Sequence, residues 1–152
     1  MNETVKADII GGMQELVHLA GTNSAAKGFH EDWPTVFESQ EANNREYQLA
    51  ITEKLALIHE EISEALGEIR SGHAAGKVYY RGDGLVWDSQ KYDTDGVGRI
   101  PMRKPEGFGI ELADAVIRIA DLAYLTGVDL GAAIIEKAEY NATRPRKHGR
   151  QF

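Results

Sequence analysis

The chain has 152 residues, of which 42% are hydrophobic and 27% charged, the balance of an ordinary globular domain long enough to bury a core. A formal net charge of −7 argues against general binding to nucleic acid or to an anionic membrane surface. The absence of cysteine excludes disulfides and thiolate metal sites and agrees with a reducing cytoplasm, and a single domain spanning residues 1–152 is expected.

The opening stretch, MNETVKADIIGGMQELVHLAG, is broken by charges and glycines and reads as neither a signal peptide nor a membrane span. Val5, Ile9, Met13, Leu16 and Val17 recur at helical spacing and predict a first amphipathic helix over about 3–20. Residues 21–40 are rich in turn formers and aromatics, with Pro34 among them, and predict a loop with short helical pieces. A long second helix is expected from about Ala42 to Arg70, ending near Gly72.

Residues about 72–107 break the pattern. Closely spaced glycines, with Pro101 and Pro105, exclude a continuous helix, while KVYY and LVWD joined by RGDG predict a small β-hairpin. A connection this long is often functional when it occurs in a compact domain. Asp93-Thr-Asp-Gly96 within it lacks the remaining ligand spacing of a calcium loop and reads as a turn. A third helix is expected from about Glu106 to Thr126, stopped by Gly127. Asp129 suits the N-cap of a fourth, about Leu130 to Ala142, which Pro145 terminates. The fold class is therefore all-α, a bundle of four to five helices with a glycine-rich insert.

The acids decide the functional reading. At 100° per residue, Leu55, Ile58, Ile62, Leu66 and Ile69 form one apolar stripe on the second helix. Glu61, Glu64 and Glu68 border that stripe, whereas Glu53 and Glu60 turn toward solvent. Helical glutamates are usually a solvated outer face, and these alone carry no more than that. The third helix is different. Leu112, Val116, Ile119 and Ala123 make one apolar face, with Ile110, Ile117, Tyr124 and Leu125 on the other, as in a helix at the middle of a bundle or interface. Glu111, Asp114, Arg118 and Asp121 then share a stripe that cannot be freely solvated, and carboxylates so placed need cations. Arg118 can neutralise one of them in a salt-bridge network. A divalent metal is the other answer, since Glu61/Glu64 and Glu111/Asp114 are i, i+3 pairs that offer four carboxylates of the kind that suits Mg²⁺ or Mn²⁺. On the fourth helix Lys137, Asn141 and Arg144 share a face, and Arg146, Lys147, His148 and Arg150 follow. A basic end complements the helix dipole. Beside an acidic metal site it also suggests a polyphosphate held between metal and Lys/Arg.

These residues resemble the MazG-like all-α nucleoside triphosphate pyrophosphohydrolases. That family carries an ExxE pair on one helix and an ExxD pair on a later one, matched here by Glu61-x-x-Glu64 and Glu111-x-x-Asp114, and a Lys-x-x-x-Asn-x-x-Arg pattern, matched by Lys137, Asn141 and Arg144. The likeness covers about 45–70 and 106–150. Either acidic pair alone is worthless as a signal, but both in order with KAEYNATRP are specific. The resemblance implies a helical bundle, a homodimer or homotetramer, with Mg²⁺ (or Mn²⁺) held by the four acids. It implies cleavage of a nucleoside triphosphate to the monophosphate and pyrophosphate, with Glu61 and Glu64 catalytic and Lys137, Asn141 and Arg144 on the phosphates. Family members often place an aromatic from the loop before the ExxE helix near the base, which favours Trp33 over Phe29, Tyr79, Tyr80 and Trp87. Two departures stand out: residues 65–110 separate the acidic pairs, far more than in compact members, and Arg118 occupies a position where some relatives carry a base-contacting aromatic. The alternatives are a partner-binding or regulatory protein of the same fold with little turnover, or a phosphoribosyl-ATP or dUTP-type hydrolase. A di-iron bundle is set aside, because it needs a Glu-x-x-His pair on each of two helices and the chain has one, Glu15-x-x-His18.

Overall fold

A computed structural model describes residues 1–35, 44–82, 85–87 (backbone only) and 103–145. Asp93–Gly96, the side chain of Trp87, and Arg146, Lys147, His148 and Arg150 lie outside the described residues. The chain is mostly helical, with four helices and one small sheet among those residues: α1 (Glu3–Ala26), α2 (Arg45–Arg70), β1 (Tyr79–Gly82), β2 (Leu85–Trp87), β3 (Lys104–Glu106), α3 (Phe108–Thr126) and α4 (Leu130–Thr143). None of the described helices is long and apolar enough to cross a membrane. The chain divides into two compact units, residues 1–33 with 119–152 and residues 34–118, and α3 passes from the second into the first.

In the first unit α1 packs against α4. Asn2 caps α1 by accepting from the Thr4 N–H at 2.8 Å, and Asp129 caps α4 by accepting from the Ala132 N–H at 2.9 Å, the role expected of it. The helices approach over small residues. A Cβ on Gly131 would lie 2.9 Å from the Ile10 Cα, and one on Gly21 would collide with the Tyr124 ring. α1 continues through this contact to Ala26 rather than ending near residue 20. Gly21 costs helix propensity, but it admits the aromatic ring of α3 against α1. Ala20, Ala120, Ala123 and Ile135 complete the buried seam.

The second unit contains α2, the sheet and the start of α3. Asn44 caps α2 by accepting from the Tyr47 N–H at 3.0 Å. The helix closes at Gly72, whose φ of 83° permits the Gly72 N–H to reach the Ile69 carbonyl and the His73 N–H to reach that of Glu68. The expected hairpin is present, with Tyr80 opposite Trp87 and Gly82 opposite Leu85. A third strand joins it in the order β2-β1-β3, pairing Tyr79 with Glu106 and Arg81 with Lys104. Pro105 counts against a strand in the sequence, but β3 is at the sheet edge, where a missing N–H is tolerated. As a result α3 begins at Phe108 and Glu106 belongs to the sheet. Between them Gly107 has φ 123° and packs so closely on the Lys77 carbonyl that no Cβ fits there.

One expectation about α2 is corrected. Its buried positions are Tyr47, Glu61 and Ala65, with Ile58 and Glu68 half-buried, while Leu55, Ile62, Leu66 and Ile69 of the predicted inward stripe are 43–57% exposed in the single chain. The inward direction is rotated onto the acidic border of that stripe. Apolarity alone does not orient a helix that has both a small/acidic row and an aliphatic row.

Candidate functional site

Helix α2 presents Glu61, and the first two turns of α3 present Glu111 and Asp114 one turn apart. One carboxylate oxygen from each of the three lies within 4.8 Å of the others. Glu61 and Glu111 are buried and Asp114 is half-buried. Sequence spacing alone sets the pairing of Glu111 with Asp114, because i and i+3 share a helix face. Only the fold brings Glu61 to them. Glu60, one residue earlier, is exposed, as its helical phase requires.

Glu64 stands apart from this trio. It is exposed and contributes no oxygen to the three-way group, yet its charge acts on Glu111. Arg118, two turns after Glu111, turns back to Glu61, with its Nε donating to Oε1 at 2.6 Å. Two further groups come from β3, where strand alternation puts Lys104 and Glu106 on the same side of the sheet and Lys104 Nζ lies 3.0 Å from Glu106 Oε1.

Negative charge prevails at this site. Burial, together with the charges of Glu64, Glu106 and Asp114, pushes the Glu111 carboxyl up to about 7, against an opposing pull from Lys104. Burial and Glu61 likewise raise Asp114, opposed by Lys104 and Arg118. The Glu111 side chain, only 2% exposed as a residue, makes no hydrogen bond or ion pair among the described residues. No fully enclosed side-chain oxygen lacks a partner among the described residues, so the cost at Glu111 is one of burial and like charge. Three converging carboxylate oxygens under net negative charge are the kind of donor set that suits a hard divalent cation.

Most of the remaining candidate residues belong to the first unit. Asp121 is not part of the acidic group: it is buried in the first unit and its Oδ1 lies 2.7 Å from His30 Nε2, with the His30 ring stacked on Tyr124 at 6.0 Å. Its burial is answered by a histidine partner. Trp33 is half-buried in the same unit and its N–H donates to the His30 carbonyl at 3.1 Å. Lys137, Asn141 and Arg144 are exposed on or just beyond α4. Lys137 Nζ and Arg144 Cζ stand 5.1 and 6.0 Å from the ring centroid of Tyr140, an aromatic to which the sequence pattern assigns no role. Tyr79, a stacking candidate by sequence, is instead buried and donates to Glu68 Oε1 at 2.9 Å. Lys104 and Glu106 do not stand out in the sequence, because Pro105 and the neighbouring glycines hide a period-two strand.

No family model, curated protein or solved structure matches the chain.

Proposed function

We propose that this chain is a Mg²⁺-dependent nucleotide pyrophosphohydrolase, MazG-like in fold and chemistry, acting in the cytoplasm as nucleotide-pool housekeeping. It cleaves a (deoxy)nucleoside triphosphate to the monophosphate and pyrophosphate. The observation that carries this reading is the convergence of one carboxylate oxygen each from Glu61, Glu111 and Asp114 within 4.8 Å, with Glu61 and Glu111 buried. Glu61, Glu111 and Asp114, with Glu64 at the edge, hold the metal; Mn²⁺ can replace Mg²⁺ in an all-oxygen set. When bound, the ion neutralises and polarises phosphate oxygens. Glu64, exposed and without a hydrogen bond among the described residues, takes a proton from the attacking water, and Glu61 shares the general-base role. Arg118 holds Glu61 in place and offers its remaining donors to the nucleotide. The resemblance assigns Lys137, Asn141 and Arg144 to the phosphates and Trp33 to the base.

The same reading includes self-association. No large side chain is fully buried among the described residues, and Leu55, Ile62, Leu66 and Ile69 form an open aliphatic row on α2. Such a row marks an interface, and a second copy of the chain, as a dimer or a dimer of dimers, covers it. Light scattering at micromolar concentration should give a dimer or tetramer, and Leu66→Glu should shift it toward monomer. A wild-type monomer refutes this part.

The activity is tested by incubating the protein with common and modified dNTPs and Mg²⁺ while detecting pyrophosphate. Pyrophosphate should be the first inorganic product, and a chelator should abolish its release. Orthophosphate as first product, or full turnover in chelator, overturns the assignment.

A further inference from the structure

The insert between the acidic pairs ends in a strand that carries a cation, Lys104, directly before the helix of Glu111 and Asp114. In β3 the side chains of Lys104 and Glu106 alternate with Pro105 and so project from one side of the sheet, and Gly107 turns the chain directly into the helix that carries Glu111 and Asp114. Lys104 Nζ is 3.0 Å from Glu106 Oε1, while its side chain remains 63% exposed. The charges of Glu111 and Glu64 act on it as well as that of Glu106, to which it is paired. This lysine is tethered by one ion pair, carries three donors and has a flexible four-carbon stem.

We propose that Lys104 is a phosphate-binding residue of this site, taking the terminal phosphates of a metal-bound polyphosphate. The proposal rests on the pyrophosphohydrolase reading and deepens it, since it gives the glycine-rich insert a part in substrate binding. Before ligand arrives, Lys104 offsets part of the excess negative charge. Once a divalent cation supplies that charge, the ammonium is free to leave Glu106 for an anionic oxygen, and its exposure leaves that path open. Phosphate is the anion that fits, because it is what a divalent cation on carboxylates recruits and what a lysine binds as a point charge.

The experiment uses the full chain, with Mn²⁺ binding followed by electron paramagnetic resonance and inorganic pyrophosphate binding followed by calorimetry in the presence of Mn²⁺. Lys104→Met should weaken pyrophosphate binding about tenfold, the value of one charge-assisted hydrogen bond. It should leave Mn²⁺ binding without pyrophosphate unchanged or tighter, and Lys104→Arg should restore most of the pyrophosphate affinity. Wild-type pyrophosphate affinity in Lys104→Met overturns the proposal. So does a joint loss of Mn²⁺ and pyrophosphate binding, which would make Lys104 a support for the acids only. A wild-type chain that binds pyrophosphate in this Lys104-dependent way but hydrolyses no triphosphate overturns the hydrolase reading and leaves this one standing. A wild-type chain that binds neither probe overturns both.

Discussion

Glu68 and Glu111 are both helical glutamates of the 34–118 unit, and both are largely withdrawn from solvent, yet their surroundings are opposite. Glu68 is surrounded by donors: Tyr79 Oη lies 2.9 Å from Oε1, His73 Nδ1 lies 2.7 Å from Oε2, and Arg81 Nη2 in turn reaches Tyr79 Oη at 3.3 Å. Burial pushes the Glu68 carboxyl up, but the hydrogen bonds from His73 and Tyr79 more than offset it and hold it below the usual carboxylate range. Glu111 has burial and neighbouring acids without a donor among the described residues, and it rises to about 7. A hydrogen-bonded buried acid pins structure, here the base of the hairpin to the end of α2. Glu111, crowded by acids instead, is where a cation would be held under the proposed function.

The largest expected effect separates the two acids by activity. Ala at Glu61, Glu64, Glu111 or Asp114 should lower kcat/KM by about 100-fold or more, given that even outer-shell partners of a metal site are worth 10–100-fold. The fold should survive, because removing one acid relieves repulsion among the rest, while the outward Glu60→Ala should be mild. An essential Glu60 beside a dispensable Glu61 breaks the comparison at its root.

A second test uses pH. The folded value of Glu111, about 7, lies above the ordinary 4.5, so the native state holds this proton more tightly than the unfolded chain. The contribution to stability is full below pH 4.5 and is lost as pH rises to about 7, by up to ~3 kcal/mol. Glu68 acts in the opposite sense: its contribution is present above its unfolded value and is lost as pH falls through its lowered folded one. Urea unfolding in chelator should show stability falling from pH 4.5 to 7. Glu111→Gln should flatten that slope, and Mg²⁺ should offset the loss at pH 7. A slope of equal size in Glu111→Gln assigns the proton elsewhere.

The smallest effect falls on the satisfied acid. Glu68→Ala strands the Tyr79 hydroxyl and should cost about 1–3 kcal/mol in urea unfolding, with kcat/KM near wild type once the protein is folded. Loss of turnover without loss of stability would make Glu68 part of the functional site.

The elements that were legible in the sequence are those with local causes. Hydrophobic periodicity marks α2, α3 and α4, Asp129 and Gly127 mark their caps, and KVYY-RGDG-LVW marks the hairpin. The pairing of Glu111 with Asp114 and the outward phase of Glu60 were equally local, being consequences of 3.6 residues per turn. β3 was not legible, because Pro105 is acceptable only at a sheet edge and edges are a property of the assembled sheet. The packing of Gly21 inside α1 was not legible either, since the group it admits is a ring from α3.

The sequence by itself determined which acids can act in pairs, because helical spacing fixes the direction of each side chain relative to its neighbours. It could not determine which acids receive a side-chain donor from the fold. Glu68, Asp121 and Glu111 look alike in one dimension. Only tertiary structure supplies His73 and Tyr79 to the first, His30 to the second and, among the described residues, no donor to the third. The face of α2 that turns inward was settled in the same way, since burial depends on what the rest of the fold presents to the helix and not on the stripe the helix carries.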